Sequence, residues 1–151
     1  MAYKNIIVGT DGSATAERAV VQAAGMAQQH GARLIVVTAY EPHGDELARH
    51  SDAPEDMRWM LTDRNQAEEL ARHGKEAALK AGAQKVTVQA TAGSPADVLL
   101  EAAADFGADC IMVGSVGLTS TAHFVLGSVA SSVAHHAPCD VLIVHTTVPA
   151  S

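Results

Sequence analysis

Short apolar runs alternate along this chain with longer segments whose apolar positions recur at helical spacing. The apolar runs predict five strands, at residues 5–10, 33–40, 85–90, 110–113 and 140–145. The longer segments predict helices that begin near Ser13, Thr62, Pro95 and Ser128. Strands that alternate with helices indicate an α/β domain built on a mostly parallel sheet. We expect the first strand to be buried on both faces, and the alternating third strand, at residues 85–90, to be half-exposed at an edge.

Residues with strong helix-end preferences mark the limits of two of these helices. Ser13 is a suitable N-cap for the first, and Gly31 stands where a left-handed C-terminal residue is expected. Ser94-Pro95-Ala96-Asp97 combines an N-cap serine, a proline at the first helical position and an acid in the first turn. Gly107 is predicted to end that helix. The last helix has to stop before Pro138.

Ligands of open parallel sheets bind beyond the carboxyl ends of the strands, where the strand order reverses. This rule directs attention to three loops, at residues 10–13, 39–41 and 114–128. The third loop contains Gly114-Ser-Val-Gly117, nine further residues and then Gly127-Ser128 at the start of a helix. A helix N-terminus and closely approaching glycines can hold phosphate without lysine, whereas the simpler interpretation is that each glycine only makes a turn. The loop lacks the lysine of a P-loop and the spacing of a dinucleotide fingerprint.

Composition narrows the possible partners. The 151 residues carry a net charge of −7, and only 3% of them are aromatic. These values argue against nucleic acid and anionic membranes as partners, although one small anionic ligand remains possible. The length favours a single domain over residues 1–151. Two cysteines, Cys110 and Cys139, and a start that does not resemble a signal peptide predict a cytoplasmic protein.

The spacing Gly-x-x-Gly-x9-Gly-Ser at residues 114–128 resembles the nucleotide-binding signature of the universal stress proteins. The first strand and its acidic turn (residues 5–13), the segment 93–96 and the last strand (residues 138–144) resemble the same family in the same order. The resemblance implies a three-layer, Rossmann-like fold with a five-stranded parallel sheet in the order 3-2-1-4-5. It also implies a homodimer through strand 140–145, and ATP or a related adenine nucleotide as ligand. Some actinobacterial members bind cyclic AMP.

The resemblance assigns roles to individual positions of this chain. Asp11, together with Thr10 in the loop after the first strand, would face the ribose or a Mg²⁺ ion carried by the phosphates; a turn cap is the alternative role for Asp11. Ala39 would line the adenine through its backbone. The phosphates would be held by Gly114, Gly117, Gly127 and Ser128, with Val129 beside them.

These features predict a nucleotide-binding regulatory or stress protein instead of an enzyme. No paired general acid and base is evident, and the segment 113–117 misses the hydrolase Gly-x-Ser-x-Gly elbow because position 113 is Val. A weak Mg²⁺-dependent ATPase that uses Asp11 is the second hypothesis. A cyclic AMP-binding protein, or a dimeric interaction protein with no nucleotide, is the third. His123 could contact a phosphate or lie in solvent, and the adjacent His135 and His136 are poorly placed to share a metal.

Overall fold

The computed structural model of the protein describes residues 2–41, 63–115 and 127–146, and the strands of this part form one parallel sheet. The strands are β1 (Asn5–Gly9), β2 (Arg33–Tyr40), β3 (Lys85–Ala92), β4 (Cys110–Gly114) and β5 (Asp140–Val144). Their order across the sheet is β3-β2-β1-β4-β5. The predicted fold class and strand order are therefore confirmed. The order reverses at β1, whose two neighbours are β2 and β4.

Helices cover both faces of this sheet. They are α1 (Ala14–His30), α2 (Asp63–Lys80), α3 (Pro95–Phe106) and α4 (Ser128–His136). The cluster on one face joins α1 and α2 to alternate strand residues such as Ile6 and Val8. The cluster on the other face joins α3 and α4 to the residues in between, such as Ile7. Because all three of these side chains are fully buried, each contributes about 1.5–3 kcal/mol of hydrophobic stabilisation.

The ends of α1 and α3 follow the predicted pattern. The Ser13 hydroxyl accepts the Ala16 N–H, and Gly31 is left-handed with φ 65°. The Ser94 hydroxyl accepts the Asp97 N–H, and Gly107 is left-handed with φ 60°. These side-chain caps satisfy donors that the helix itself leaves without a partner. The predicted first residue of α2, Thr62, lies outside the described residues.

The two edges of the sheet differ in character. The strand β3 lies at one edge, as predicted, but the apolar Val88 is 39% exposed whereas the polar Thr87 and Gln89 are half-buried. At β5 the apolar Val141, Leu142 and Ile143 are half-buried. None of the described helices is long and apolar enough to cross a membrane.

The two cysteines are free thiols that belong to the packing. Cys110 packs on the α1 side of the sheet, whereas Cys139 packs on the α3–α4 side. Burial raises the pKa of the Cys110 thiol to about 11 and also raises the pKa of Cys139. Both are therefore protonated at neutral pH and act as small apolar side chains.

Candidate functional site

A cavity of about 410 Å³ opens at the carboxyl ends of β1, β2 and β4. Its wall is formed by the loop after β1, the end of β2, the end of β4 and the first turns of three helices. This is the edge at which the strand order reverses, where open parallel sheets bind their ligands. The volume lies within the range of small-molecule sites.

The predicted site residues that the structure describes all line this cavity. They are Thr10, Asp11, Ala39, Gly114, Gly127, Ser128 and Val129. Gly117 lies outside the described residues, and so does His123. The sequence reasoning missed Thr15, Pro95, Val98 and Leu99, which also line it. A signal for the α3 residues was present, because a helix that follows a parallel strand begins at this same edge of the sheet.

Part of the cavity wall is apolar, and we call this part the apolar slot. Val37 and Ala39 of β2, Val98 and Leu99 of α3, and Val113 of β4 contribute to its wall. Gly9 allows this packing, because a Cβ atom at that position would lie 3.2 Å from Leu99 Cδ2. The slot suits a flat, weakly polar ring held between aliphatic side chains, with backbone groups of β2 available at its edge.

The cavity wall also includes the N-termini of α1, α3 and α4. The first turns of α1 and α3 are closed by the hydroxyls of Ser13 and Ser94. Pro95, at the first position of α3, also has no N–H to satisfy. At α4 the N-cap is Gly127, and no side chain caps the helix. Of these three helices, α4 is thus the one whose first-turn N–H groups have no side-chain acceptor, and its dipole adds positive potential there.

Asp11 occupies the turn between β1 and α1. Its Oδ1 accepts the Ser13 N–H at 2.9 Å, so the carboxylate caps the turn, as one of the two sequence hypotheses proposed. The side chain is nevertheless exposed and lines the cavity. The described residues contain no group of three or more His, Cys, Asp or Glu side chains that could hold a metal. Asp11 therefore fits a metal only as a single protein ligand to an ion that a phosphate brings with it.

Thr10 lines the cavity, but its side chain stabilises the turn. The Thr10 hydroxyl accepts the Gly12 N–H at 3.2 Å. A Cβ atom at Gly74 of α2 would lie 3.4 Å from the Thr10 methyl group, which shows how closely α2 packs on it. Gly12 itself has φ 83°, a left-handed value that favours glycine. The turn that presents Asp11 to the cavity is thus fixed by Thr10 and Gly12.

The comparison with known families identifies the fold. The family model described as "Universal stress protein family" matches residues 2–145. This chain belongs to the universal stress protein family. The family resemblance that the glycine spacing suggested is therefore confirmed.

Individual universal stress proteins are similar over nearly the whole chain. Universal stress protein Rv1636 of Mycobacterium tuberculosis H37Rv is 42% identical over 146 residues, which is 97% of this chain and 99% of that protein. A putative universal stress protein of Staphylococcus epidermidis is 37% identical over 147 residues, covering 97% of this chain and 86% of the relative. A universal stress protein whose crystal structure was determined in complex with cAMP is 35% identical, with a TM-score of 0.74. That comparison covers 97% of this chain and 100% of the solved one.

Proposed function

We propose that this universal stress protein binds an adenine nucleotide in the cavity, with a phosphate at the N-terminus of α4 and the base in the apolar slot. The observation that carries the proposal is the absence of a side-chain cap at Gly127, in the wall of a cavity that also includes the apolar slot. An anion at a helix N-terminus accepts the open N–H groups and interacts favourably with the helix dipole. A net charge of −7 does not oppose this, because a single local site determines the binding.

Each part of such a ligand has a counterpart in the described wall. Ala39 would present its backbone to the base, and the side chains of Val37 and Leu99, which also line the cavity, would pack against it. Asp11 would face the ribose hydroxyls. Gly114, Gly127 and Ser128 would surround the phosphate, with Val129 beside them. The N–H groups of the first turn of α4 and the Ser128 hydroxyl would donate to it. Gly117 remains a predicted phosphate contact.

Among adenine nucleotides we favour cyclic AMP or AMP over ATP. The described residues of the wall include no Lys or Arg, so each additional phosphate charge has to be held by backbone dipoles alone. The similarity to a universal stress protein in complex with cAMP supports the same preference. ATP, which the family resemblance implies, would bind with Mg²⁺ to offset the charge of its phosphates. Asp11 would then supply one carboxylate ligand to that ion.

The wider role that we propose is regulatory, in the cytoplasm, and exerted by a homodimer. The support for dimerisation is β5, whose apolar Val141, Leu142 and Ile143 are half-buried at the edge of the sheet. Exposed apolar edges readily pair with a second strand. We expect light scattering at micromolar concentration to give twice the mass of 15.6 kDa. A monomer mass would contradict pairing through residues 140–145.

The test of nucleotide binding has two stages. First, the purified protein is denatured, and any released nucleotide is identified by mass spectrometry. Second, dialysed protein is titrated calorimetrically with cyclic AMP, AMP, ADP and ATP, and with GTP as a control for the base. We expect an adenine nucleotide with one phosphate to bind most tightly without Mg²⁺. No heat with any of the adenine nucleotides would overturn the proposal and favour an interaction protein with an empty cavity.

Asp11→Asn separates binding from ATP hydrolysis. Asparagine keeps an oxygen that can accept the Ser13 N–H, so the turn is retained while the charge is removed. We expect cyclic AMP affinity to change by less than about threefold, because a carboxylate at an exposed site interacts weakly with the ligand. The increase in ATP affinity that Mg²⁺ produces should disappear. Single-turnover assays with labelled ATP would identify a weak ATPase by hydrolysis above background that Asp11→Asn abolishes.

A further inference from the structure

Ser115 directly follows β4 and lies within the glycine-rich spacing, yet it does not contribute to the wall of the cavity. Its three polar groups are all used within the protein. The Ser115 N–H donates to the Val144 carbonyl at 2.8 Å, and the Ser115 carbonyl accepts the Gly127 N–H at 2.8 Å. The Ser115 hydroxyl oxygen accepts the Thr146 N–H at 3.1 Å. One residue thus connects the end of β5 to the N-cap of α4.

Thr146 is the second half of this connection. It is fully buried, and its hydroxyl oxygen lies 3.3 Å from that of Ser115. A Cβ atom at Gly114 would lie 3.0 Å from Thr146 Cγ2 and 3.3 Å from its hydroxyl oxygen. Gly114 is therefore required for a reason other than contact with a phosphate. A side chain there would displace Thr146.

The direction of this contact separates it from the apolar slot. Along β4, Cys110 and Met112 face the α1 side of the sheet, whereas Ile111 and Val113 face the α3–α4 side. Alternation places a side chain at Gly114 on the α1 side. A methyl group at position 114 would thus press on Thr146 without entering the apolar slot, which is bounded by Val113 and α3.

We propose that Ser115 is a positioning residue that, with Thr146, sets the start of α4 relative to the end of β5 and so links phosphate affinity to the order of the β5 terminus. The proposal rests on the proposed nucleotide binding and assigns a control to that site. A phosphate at α4 restrains Gly127, and Ser115 passes this restraint to Thr146 through two hydrogen bonds. By thermodynamic reciprocity, ordering the end of β5 strengthens phosphate binding by the same factor.

The first test compares Ser115→Ala with Ser131→Ala, a matched change within α4 that leaves these hydrogen bonds intact. Calorimetry with cyclic AMP and with adenosine is combined with amide hydrogen exchange at Thr146. Ser115→Ala, which removes both hydrogen bonds to Thr146, should weaken cyclic AMP binding about tenfold and leave adenosine binding unchanged. Cyclic AMP should slow exchange at Thr146 in the wild type and in Ser131→Ala but not in Ser115→Ala. Those proteins are compared at a temperature where denaturant unfolding shows each to be folded.

The second test does not depend on the stability of Ser115→Ala. Gly114→Ala should weaken cyclic AMP binding about tenfold by displacing Thr146. Adding Thr146→Ala removes the two atoms that the new methyl group would contact most closely, so the double variant should recover most of the affinity. If the methyl group instead blocks the phosphate directly, Thr146→Ala gives no recovery and the proposal is wrong.

The outcomes separate the two proposals. Wild-type affinity in Ser115→Ala, or ligand protection of Thr146 that persists without the serine hydroxyl, overturns the positioning role and leaves nucleotide binding standing. A wild-type protein that binds no adenine nucleotide overturns both.

Discussion

The first turns of α3 and α4 open on the same cavity, but their backbone donors are treated differently. At α3 the Ser94 hydroxyl accepts the Asp97 N–H and Pro95 has no N–H. At α4 the N-cap is Gly127, which provides no side-chain acceptor. Glycine in place of a serine N-cap costs about a few tenths of a kcal/mol, so the absence of a side-chain cap at α4 lowers stability slightly. This difference suggests that the first turn of α4 is adapted to an external acceptor and that of α3 to the fold.

The amino ends of the strands, opposite the cavity, show a third arrangement of backbone donors. The Asp109 carboxylate, which precedes β4, accepts the Lys4 N–H at 2.7 Å and the Asn5 N–H at 2.9 Å. These bonds lower the pKa of Asp109 below its ordinary value. These backbone N–H groups at the amino ends of the strands therefore already donate to a carboxylate of the protein itself. At the carboxyl ends, the equivalent anion would be the phosphate of the ligand.

Gly127→Asp should have the largest effect on ligand affinity, because it gives α4 a side-chain cap like that of α3. The Gly127 backbone, with φ −59° and ψ 160°, accepts any residue. An aspartate there would cap the helix and raise the free energy of unfolding by roughly 0.5–1 kcal/mol. The same carboxylate would repel phosphate and lower cyclic AMP affinity by at least about 100-fold. Denaturant unfolding and calorimetry measure the two effects.

The control for this variant is Gly127→Asn, which caps the helix equally well without the charge. We expect about the same stability and a smaller loss of affinity. Opposite signs of the stability and affinity changes are the essential result. An aspartate variant that binds cyclic AMP as tightly as the wild type would show that the two helix starts do not differ in function.

Asp109→Asn tests the hydrogen-bonded N–H groups at the amino ends of the strands and should have a moderate effect on stability. The folded-state pKa of Asp109 is lowered, so its contribution to stability is complete above the unfolded value of 3.8 and is lost as the pH falls through the folded value. At pH 7 the variant should lose about 1 kcal/mol, since each N–H then bonds a neutral oxygen and the site is partly exposed. The free energy of unfolding of Asp109→Asn, measured with urea, should fall less between pH 7 and below pH 4 than that of the wild type. Parallel curves for the two proteins would contradict this role.

Ser94→Ala should have the smallest effect. The Ser94 hydroxyl lies 3.4 Å from the Asp97 nitrogen, so its removal should cost about 0.5–1 kcal/mol of stability. Cyclic AMP affinity should change by less than about twofold, because the Asp97 N–H bonds Ser94 in the wild type and is therefore not used by the ligand. A large loss of affinity in a folded Ser94→Ala protein would mean that the start of α3 also serves the ligand.

The sequence predicted the fold because its signals are local. Ser13 and Ser94 each cap the first turn of the helix that follows, and Gly31 and Gly107 end those helices. Uninterrupted apolar runs identify the buried strands. The alternation of strands and helices then restricts the topology. For the site, the same signals located the loops, because parallel strands bring their carboxyl ends to one edge.

The remaining features depend on contacts between residues far apart in sequence. Ser115 and Thr146 are separated by 31 positions, and no local pattern links them. Gly114 fits a phosphate-binding spacing, which already explained a glycine at that position. No sign of the steric requirement set by Thr146 was therefore visible in the sequence. Only the three-dimensional packing shows that Leu99 of α3 lines the cavity. Whether Asp11 capped its turn was likewise undecided until the geometry was known.

The most direct test of the account follows backbone amides by nuclear magnetic resonance during titration with AMP and, separately, with adenosine. Both ligands should shift the amide signals of Val37 and Ala39 beside the apolar slot. AMP alone should shift the signals of Val129 and Ala130, in the uncapped first turn of α4, because their N–H groups would bond the phosphate. Saturation with AMP that leaves Val129 and Ala130 unchanged, or equal shifts with adenosine, would contradict the claim that α4 binds the phosphate.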